Sequence, residues 1–537
     1  MPQKLDPEAL DHQSIKSYKL SKYNHFIDYA EKIFLIYNAS SSAIIETNKK
    51  YYLMLKDGAN LDALPIDMQT ILVENNILVP KEVDELSQIA ILDKAKRFAN
   101  NSLSLTIAPT LDCNFSCKYC YEKHKPIYMD QQTQKNILDF IEFYLGDIIY
   151  LDVVWYGGEP LSAKNTVFEL TENINKLCNK YQVKKNFSII TNGYLMDYTV
   201  IQQMHALGID GVQVTLDGPP EIHNARRPLS NGGRTFETII NNLKACEGKI
   251  KNLTIRVNID KDNINGLLEL KDILHKEGIL RFAKLAISHV DAYSESNKIY
   301  EPNCLNMFQF SDFYVEHFVD EIKRGIYNIP RPPNGCGCGA IALNSWVIAP
   351  DGYLYKCWCE IGYENKKVGH ITTPNKLNHN YYEWLSFNIL DFDICNECNV
   401  LPLCMGACPD KIKNIGPGIF CTRWKFCLTE MLILYALTKK VETPLKAKEI
   451  SMNTKVQEAI KTLLDHAGIP EVAEVEDIKV ISAGKKEGSG NNPCSHEGQA
   501  DCQPRCIQDD IGLNHAYHCH VNNCGGPRCN TVIDVGC

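Results

Sequence analysis

The sequence predicts an α/β protein built around an open, partial barrel of six βα units. Two observations indicate this class. Between about residues 100 and 310, short apolar segments typical of strands alternate with amphipathic segments typical of helices. The strand segments number six: LSLTIAP, YLDVVWY, FSIITN, GVQVTL, LTIRVN and FAKLAIS. Repeated βα units form a parallel sheet, and ligands bind at the carboxyl ends of its strands.

Residues 1–98 form a separate unit of strands followed by helices. The segments FIDYAEKIFLIYN and SAIIETNKKYYLML are rich in Ile, Tyr and Phe, and they are predicted as strands around a Ser-rich turn. LDALPIDMQTILVENNILVP and VDELSQIAILDKAKRFA carry helical periodicity. A small module with an exposed sheet edge suits peptide binding by strand addition. A plain packing or dimerisation domain is the alternative.

The chain beyond the barrel, which is assigned to 99–310, divides into three further segments. Residues 311–450 are loop-rich and crowded with cysteine, and LTEMLILYALTKK is predicted as their closing helix. Residues 451–490 carry an amphipathic helix, a short strand in EVEDIKVIS and the flexible linker AGKKEGSGNN. Residues 491–537 form a Cys-rich tail.

Composition excludes several classes of protein. At 537 residues the chain is too long for one hydrophobic core. Its net charge of −9 argues against a nucleic-acid partner bound through phosphates. No apolar run is long enough to span a bilayer, and the first residues lack the layout of a signal peptide, so we expect a cytoplasmic protein with no membrane partner. In a reducing compartment, 23 cysteines point to metal binding or chemistry.

The first cysteine cluster follows the first barrel strand. Cys113, Cys117 and Cys120 stand as Cys-x3-Cys-x2-Cys in one loop, and thiolates are the usual ligands of iron–sulfur clusters. Three cysteines on a [4Fe–4S] cluster leave one iron open to a small molecule. The spacing does not match the usual zinc pairs. A Gly-Gly-Glu-Pro stretch, Gly157 to Pro160, follows the second strand and therefore falls at the same end of the sheet.

These paired motifs, with Tyr119 before the last cysteine, resemble the radical SAM enzymes over roughly residues 100–310. The resemblance implies a cluster that binds S-adenosylmethionine, a 5′-deoxyadenosyl radical, and an electron donor such as flavodoxin or ferredoxin. It assigns cofactor contacts to the Gly-Gly-Glu stretch, with Gly158 and Glu159 at the methionine ammonium. By the same resemblance TLDGPPEIHNARRP is a later cofactor-contacting region, and the alternative is that its polar residues only support the fold. The residues implied as cofactor-binding are Tyr119, Gly157, Gly158, Glu159, Thr215 and Arg227.

A second cysteine block, residues 336–427, is similar to the SPASM extension of radical SAM peptide-modifying enzymes. That resemblance implies two auxiliary [4Fe–4S] clusters and hence three clusters in all. It assigns Cys336, Cys338, Cys357 and Cys408 to the first auxiliary cluster, and Cys395, Cys398, Cys404 and Cys427 to the second. Cys359 and Cys421 are spare, and the choice of Cys336 is the loosest. A zinc ribbon on Cys395 and Cys398 alone is the competing interpretation.

Residues from Met452 onward look like a complete peptide precursor: a leader helix, a short strand, a flexible joint and a Cys-rich core. The amino-terminal unit resembles the winged-helix-like element with which peptide maturases capture such leaders. We therefore expect enzyme and substrate on one chain, with 452–537 as the peptide and EVEDIKVIS docked on residues 1–98. Its thiols favour thioether formation, and the candidate donors are Cys494, Cys502, Cys506, Cys519, Cys524, Cys529 and Cys537.

Other interpretations of the chain stay open. The tail is alternatively a structural metal module, a third cluster site or a disulfide-stapled domain. The enzyme is alternatively a sulfatase-type (formylglycine) maturase or a peptide epimerase with a metal-binding tail. Sulfatase maturases typically carry Asp after the cysteine that corresponds to Cys357, and Trp358 stands there instead. A non-catalytic redox protein is a further alternative, but it has no use for a cysteine triad that leaves one iron of its cluster open.

Overall fold

The computed structural model describes residues 17–29, 33–58, 61–292, 294–333, 335, 337–416, 421–439, 479–482, 519–522 and 526–529. Several predictions fall outside these residues. They concern Cys336, the amphipathic helix and linker of 451–490, and the tail cysteines Cys494, Cys502, Cys506, Cys524 and Cys537.

The amino-terminal unit consists of two antiparallel sheets and three helices. Its strands are β1 (Tyr18–Leu20), β2 (Asn24–Tyr29), β3 (Ile33–Asn38), β4 (Ala43–Thr47) and β5 (Leu78–Pro80), and its helices are α1 (Lys49–Asp57), α2 (Ile66–Glu74) and α3 (Glu85–Arg97). β2, β3 and β4 pair in sequence order, and β1 pairs with β5. The apolar face of the sheet formed by β2, β3 and β4 packs on α1 and α2 through buried Phe34, Ile45, Tyr52, Leu55 and Leu72.

The second predicted strand of this unit is half wrong, because its second half, KKYYLML, lies in α1. Asn48 caps this helix by accepting a hydrogen bond from the Tyr51 N–H, and Gly58 ends it in the left-handed conformation. The tyrosines favour a strand by composition, but a cap at each end and burial of Tyr52 and Leu55 favour the helix.

The central unit confirms the predicted parallel sheet. Its strands are β6 (Ser102–Ile107), β7 (Tyr150–Trp155), β8 (Lys184–Thr191), β9 (Ile209–Thr215), β10 (Asn252–Ile259) and β11 (Ala283–His289). Each strand pairs in parallel with the next, so the order in space follows the order in sequence. The connecting helices are α4 (Gln131–Leu145), α5 (Lys164–Tyr181), α6 (Tyr198–Leu207), α7 (Pro220–Arg226), α8 (Phe236–Lys244) and α9 (Leu267–Lys276).

The Cys-rich unit extends the same sheet beyond β6. β12 (Ser345–Ile348) pairs in parallel with β6, and β13 (Tyr353–Tyr355) and β14 (Gly369–His370) follow antiparallel, which gives nine strands. Its helices are α10 (Met307–Lys323), α11 (His379–Ser386), α12 (Asp393–Asn396), α13 (Leu401–Cys404), α14 (Pro409–Ile415) and α15 (Trp424–Thr438). The expected boundary at residue 310 falls inside α10, which packs on α15 with the rings of Tyr314 and Trp424 6.3 Å apart.

Three short strands lie in the described part of the carboxyl-terminal segment. β15 (Lys479–Ser482) joins the amino-terminal sheet as an edge strand antiparallel to β4. β16 (Cys519–Asn522) and β17 (Gly526–Cys529) form an antiparallel hairpin in which Cys519 lies opposite Cys529. Among the helices of the described ranges, none combines the length and apolarity that a membrane crossing needs.

Candidate functional site

The predicted cysteine triad lies in the loop that leaves the carboxyl end of β6. The loop is held by backbone hydrogen bonds to the end of α7 and the residues that follow it. Ser116 N–H donates to the Pro228 carbonyl at 2.9 Å, and Lys118 N–H donates to the Arg226 carbonyl at 3.2 Å. Within the loop, Cys120 N–H donates to the Cys117 carbonyl at 3.2 Å. The three cysteines therefore share one short, fixed turn at the end of the sheet where the sequence predicts them.

The Gly-Gly-Glu-Pro stretch packs directly against this loop. A Cβ on Gly157 would lie 2.3 Å from the Thr110 carbonyl oxygen, and a Cβ on Gly158 would lie 2.2 Å from the Asp112 carbonyl oxygen. Both distances are below any contact that a real Cβ makes, and Gly157 also has a φ of +113°. Only glycine at these two positions lets the end of β7 approach the cysteine loop so closely.

Glu159 joins the ends of two barrel strands. Its carboxylate is buried, and it accepts hydrogen bonds from the Leu161 N–H (3.0 Å), the Thr191 hydroxyl (2.7 Å) and the Asn192 N–H (2.7 Å). Burial raises the pKa of this carboxyl group, and the three donors oppose that rise. The carboxylate already organises the loop, so a ligand ammonium would be an additional partner for it.

Tyr119 is the centre of a buried polar network. Its hydroxyl donates to the Asp217 carboxylate at 2.5 Å and accepts from Arg227 Nη1 at 2.7 Å and from Asn258 Nδ2 at 3.1 Å. The Arg227 guanidinium also lies over the Phe115 ring, 5.7 Å from its centroid. Thr215 is the buried last residue of β9, two positions before Asp217. The network brings Tyr119 and Arg227 together beside the cysteine loop and places Thr215 at the same end of the sheet.

Arg226 is a site residue that no motif in the sequence singles out. Its Nη1 donates to Asp260 at 2.7 Å and to the Tyr300 hydroxyl at 3.0 Å, and its Nε lies 3.6 Å from Asp217. The guanidinium also lies over the Tyr119 ring. The only signal in the sequence is its position next to Arg227 in NARRP. Arg226 therefore supports the Tyr119 ring through its own contacts with Asp260, Tyr300 and Asp217.

Part of the second cysteine block forms a group around Cys357. Burial and then the nearby charge of Cys408 raise the pKa of the Cys338 thiol to about 12. Burial also raises the pKa of Cys357, with Cys338 and Cys408 among the charges that add to it. Cys338 and Cys408 therefore lie close enough to Cys357 for their charges to act on its thiol. Cys359, which the predicted ligand sets leave spare, is disulfide-bonded.

The other part of the second cysteine block contains Cys395, Cys398 and Cys404. Lys425, in the first turn of α15, donates to the Cys398 sulfur at 3.2 Å. Cys427, also on α15, is buried at 1% exposure in the apolar core. Among the described residues, no three metal-binding side chains are arranged to hold a single metal ion. An iron–sulfur cluster has no such requirement, since each of its irons takes its own thiolate.

A comparison with protein families decides the identity of the central unit. The model of the radical SAM superfamily matches residues 107–274. The chain contains a radical SAM domain. The matched residues run from the end of β6 into α9, and they include the cysteine triad, the Gly-Gly-Glu-Pro stretch, Thr215 and Arg227.

Alignments with individual relatives cover a larger part of the chain than the radical SAM domain alone. The radical SAM cyclopropyl synthase TigE of Paramaledivibacter caminithermalis is 22% identical over 60% of this chain and 71% of its own length. A cysteine-type anaerobic sulfatase-maturating enzyme of Clostridium novyi is 25% identical over 60% of this chain and 94% of its own length. The solved structure of histidine-tagged anSMEcpe with bound AdoMet is 17% identical, with a TM-score of 0.48 over 67% of this chain and 98% of that chain.

A radical SAM domain implies a [4Fe–4S] cluster and S-adenosylmethionine, and the residues present fit them. The loop supplies three thiols, which is the donor set of a cluster with one open iron. Gly157 and Gly158 leave the backbone bare beside that loop. Arg227 Nε is buried without a hydrogen-bond partner among the described residues, so one donor next to Tyr119 is free for a ligand.

Proposed function

We propose that this radical SAM enzyme forms thioether crosslinks in a Cys-rich peptide, and that the peptide is its own carboxyl-terminal segment, residues 452–537. The observation that carries the proposal is β15, a strand from that segment, which lies at the edge of the amino-terminal sheet. The peptide-binding mode that the exposed edge predicts is strand addition, in which main-chain hydrogen bonds provide affinity.

The contacts of β15 support a specific docking site. Lys479 lies opposite Glu46, Val480 opposite Ile45 and Ser482 opposite Ile44, with an irregularity between Val480 and Ser482. The partner strand β4 is buried along its whole length. Ile481 packs against the main apolar core, so the strand contributes a side chain as well as its backbone.

The amino-terminal unit that holds β15 is itself fixed to the rest of the enzyme. Arg97 donates to the Ile341 and Leu385 carbonyls at 3.1 and 2.9 Å, and Arg331 Nη2 donates to the Ser42 carbonyl at 2.8 Å. Arg97 is 6% exposed, so its bonds are shielded from water. A peptide bound at β4 is therefore held at a defined distance from the barrel.

The chain between β15 and the tail is long enough to deliver a core peptide. Cys519 lies 37 positions after Ser482, and an extended chain of that length spans roughly 120 Å. β17 contacts β7 of the barrel sheet. Tethering raises the effective concentration of the core at the site, to the millimolar range for short flexible linkers.

The chemistry is divided between the cofactor and the protein. We assign Cys113, Cys117 and Cys120 to the cluster, and Tyr119, Gly157, Gly158, Glu159, Thr215 and Arg227 to S-adenosylmethionine. With both bound and the cluster reduced, the cluster and S-adenosylmethionine would supply a 5′-deoxyadenosyl radical that takes a hydrogen atom from a substrate carbon. A thioether would form if that carbon joined a cysteine sulfur, with the thiol proton released to solvent and one electron taken up by an oxidised acceptor, a role that an auxiliary cluster would supply.

The acceptor for that electron comes from the second cysteine block, which we assign to a SPASM-type extension. Cys338, Cys357 and Cys408 would hold the first auxiliary cluster, with Cys336 as the expected fourth ligand. The grouping of these three thiols around buried Cys357 supports the assignment. An electron donor such as flavodoxin or ferredoxin would reduce the cluster at the cysteine triad.

The test is to reconstitute the full chain anaerobically, add S-adenosylmethionine and a strong reductant, then reduce, alkylate and sequence the tail by mass spectrometry. We expect a loss of two hydrogens for each bridge and cysteines that refuse alkylation. Chemical reduction first removes disulfides, so a surviving bridge is a thioether. A tail with all thiols alkylated and no mass change, while 5′-deoxyadenosine accumulates, would place the substrate elsewhere.

A second candidate is a sulfatase-type maturase, favoured by the relative from Clostridium novyi that aligns over 94% of its length. Trp358 stands directly after Cys357, where sulfatase maturases typically carry Asp, and this difference argues against the candidate. The Trp358 ring lies 5.2 Å from that of Tyr156, which precedes Gly157. The same experiment with an added sulfatase-derived Cys or Ser peptide separates the two. Formylglycine in the added peptide and an unmodified tail would establish the second candidate.

A further inference from the structure

The contact between β17 and β7 identifies the face of the barrel sheet that the tail meets. β7 is paired along both of its edges, with β6 and with β8, so β17 can reach it only across a face. Successive side chains of a strand point to opposite faces. Val153 and Trp155 lie in the apolar core on the outer face, where Trp155 Nε1 donates to the Thr171 hydroxyl of α5 at 3.0 Å. Because α5 covers the outer face, β17 meets the inner face, which carries Asp152.

The inner face of the barrel sheet is polar. In the register of the sheet, Asp152 stands beside Ser104 of β6 and Asn186 of β8. Ser188 and Gln213 follow on the same face of β8 and β9, and both are buried. The Ser188 hydroxyl and Gln213 Nε2 have no hydrogen-bond partner among the described residues. Buried polar atoms are normally paired, so the barrel interior is suited to a polar ligand such as a peptide.

Asp152 places a carboxylate in this polar interior. The residue is 1% exposed, and its Oδ1 accepts a hydrogen bond from Asn186 Nδ2 at 2.8 Å. Burial of a carboxylate is unfavourable unless cations or donors surround it, so the position favours a cationic partner. Asp152 lies three positions before Trp155, the last residue of β7, and therefore roughly 10 Å from the strand end that leads to the Gly-Gly-Glu-Pro stretch. A peptide anchored at Asp152 is held within a few residues' length of the cysteine loop.

β17 brings one basic residue to the barrel. Its sequence is Gly-Pro-Arg-Cys, so Arg528 is the only cationic residue in the strand, and Cys529, a candidate thioether donor, follows it directly. A guanidinium presents its donors in a planar fork that matches the two oxygens of a carboxylate. The other arginine of residues 491–537 is Arg505, which lies outside β17.

We propose that Asp152 is a specificity-determining residue and that its carboxylate binds the guanidinium of Arg528. The inference rests on the proposed function, since it takes the carboxyl-terminal segment as the substrate. The ion pair anchors β17 on the inner face of β7 and sets the position of Cys529 relative to the barrel. The enzyme therefore prefers a peptide with arginine directly before the cysteine that it modifies.

The test is a double-mutant cycle in the full chain, with tail modification followed over time by mass spectrometry. Asp152→Asn keeps the oxygen that accepts from Asn186, so it removes the charge with little change of shape. Asp152→Asn and Arg528→Gln should each slow modification by about 30-fold or more, as expected when one partner of a buried charge pair is lost. The double variant should be no slower than the slower single variant.

Arg505→Gln is the matched control, and it should modify its tail at the parent's rate. Arg528→Gln lies in the peptide segment, so it tests the pairing even if Asp152→Asn does not fold. Losses that multiply in the double variant, or a parental rate in either single variant, would overturn the pairing.

Hydrogen exchange separates this inference from the proposed function. The backbone amides of residues 519–529 are followed in the full chain without S-adenosylmethionine, so that no modification takes place. We expect exchange about tenfold or more faster in Asp152→Asn and in Arg528→Gln than in the parent and in Arg505→Gln. Faster exchange in the two variants, with a parent that never modifies its tail, would support the pairing and reject thioether formation. A modified tail with equal exchange in all four proteins would reject the pairing alone.

Discussion

His25 Nε2 lies 3.1 Å from the backbone carbonyl oxygen of Asn399. His25 belongs to β2 of the amino-terminal unit, and Asn399 directly follows Cys398. Lys22 Nζ makes a second contact nearby, to the Asn396 carbonyl at 3.3 Å. The unit that carries β15 is therefore seated on the loop that we assign to the second auxiliary cluster.

This contact predicts a pH dependence of stability. Burial lowers the pKa of His25; the Asn399 carbonyl raises it in part, and Lys425 lowers it. Because the folded pKa lies below the unfolded value, the stabilisation is complete above about pH 6.5 and declines as the pH falls below it. We expect the urea midpoint of the intact enzyme to drop between pH 7 and 5.5.

The matched variant for that measurement is His25→Gln, which keeps a donor to the carbonyl but cannot titrate. Its stability at pH 7 should be close to that of the parent, and its midpoint should fall less on acidification. An identical pH profile in both proteins would show that other groups cause the decline.

A second prediction concerns β15. Val480→Pro removes a backbone N–H and fixes φ, so it disrupts pairing with β4. Loss of one or two strand hydrogen bonds, each worth about 0.5–1.5 kcal/mol, corresponds to about a tenfold loss of docking. Modification of the tail should slow by about that factor, while cleavage of S-adenosylmethionine without substrate turnover stays unchanged.

Val480→Ile is the control, because it keeps the N–H and the β-branched side chain. Tail modification is followed by mass spectrometry over time in all three proteins. Equal rates in the parent and in Val480→Pro would mean that β15 does not deliver the substrate.

The barrel could be predicted from the sequence because its signal is local. Each strand between β6 and β11 is a short apolar run, and parallel pairing of successive runs follows from the helices between them. The cysteine loop and Gly158 could be placed at one end of the sheet by the same logic. No spacing, however, shows that the Glu159 carboxylate bonds Thr191 and Asn192, since that contact joins two strands.

The burial of Cys427 shows where order in the sequence does not suffice. Cys427 lies on α15, which is apolar nearly all round, so its sequence has no clear buried side. Only the packing of α15 on α10 directs Cys427 inward.

A third prediction concerns the close approach at Gly158. The Cβ of Gly158→Ala would lie 2.2 Å from the Asp112 carbonyl oxygen, so the cysteine loop must shift. We expect formation of 5′-deoxyadenosine to fall by about 100-fold or more, equivalent to about 2.7 kcal/mol. Gly146→Ala is the control, because a Cβ there meets no atom within 4 Å. Both variants should keep the far-ultraviolet circular dichroism of the parent, and activity within twofold of the parent in Gly158→Ala would contradict the argument.

The last prediction concerns the buried pair of Arg226 and Asp260, whose side chains are 3% and 0% exposed and 2.7 Å apart. Asp260→Ala removes one carboxylate partner of Arg226 and leaves the buried guanidinium with less negative charge around it. Breaking such a pair costs about 3–5 kcal/mol of folding free energy. The exposed pair of Lys251 and Asp210 is the comparison, and Lys251→Ala should cost no more than about 1 kcal/mol. Thermal unfolding of both variants measures the difference in folding free energy. An equal loss in the two would mean that the Arg226 contacts do not stabilise the structure around Tyr119.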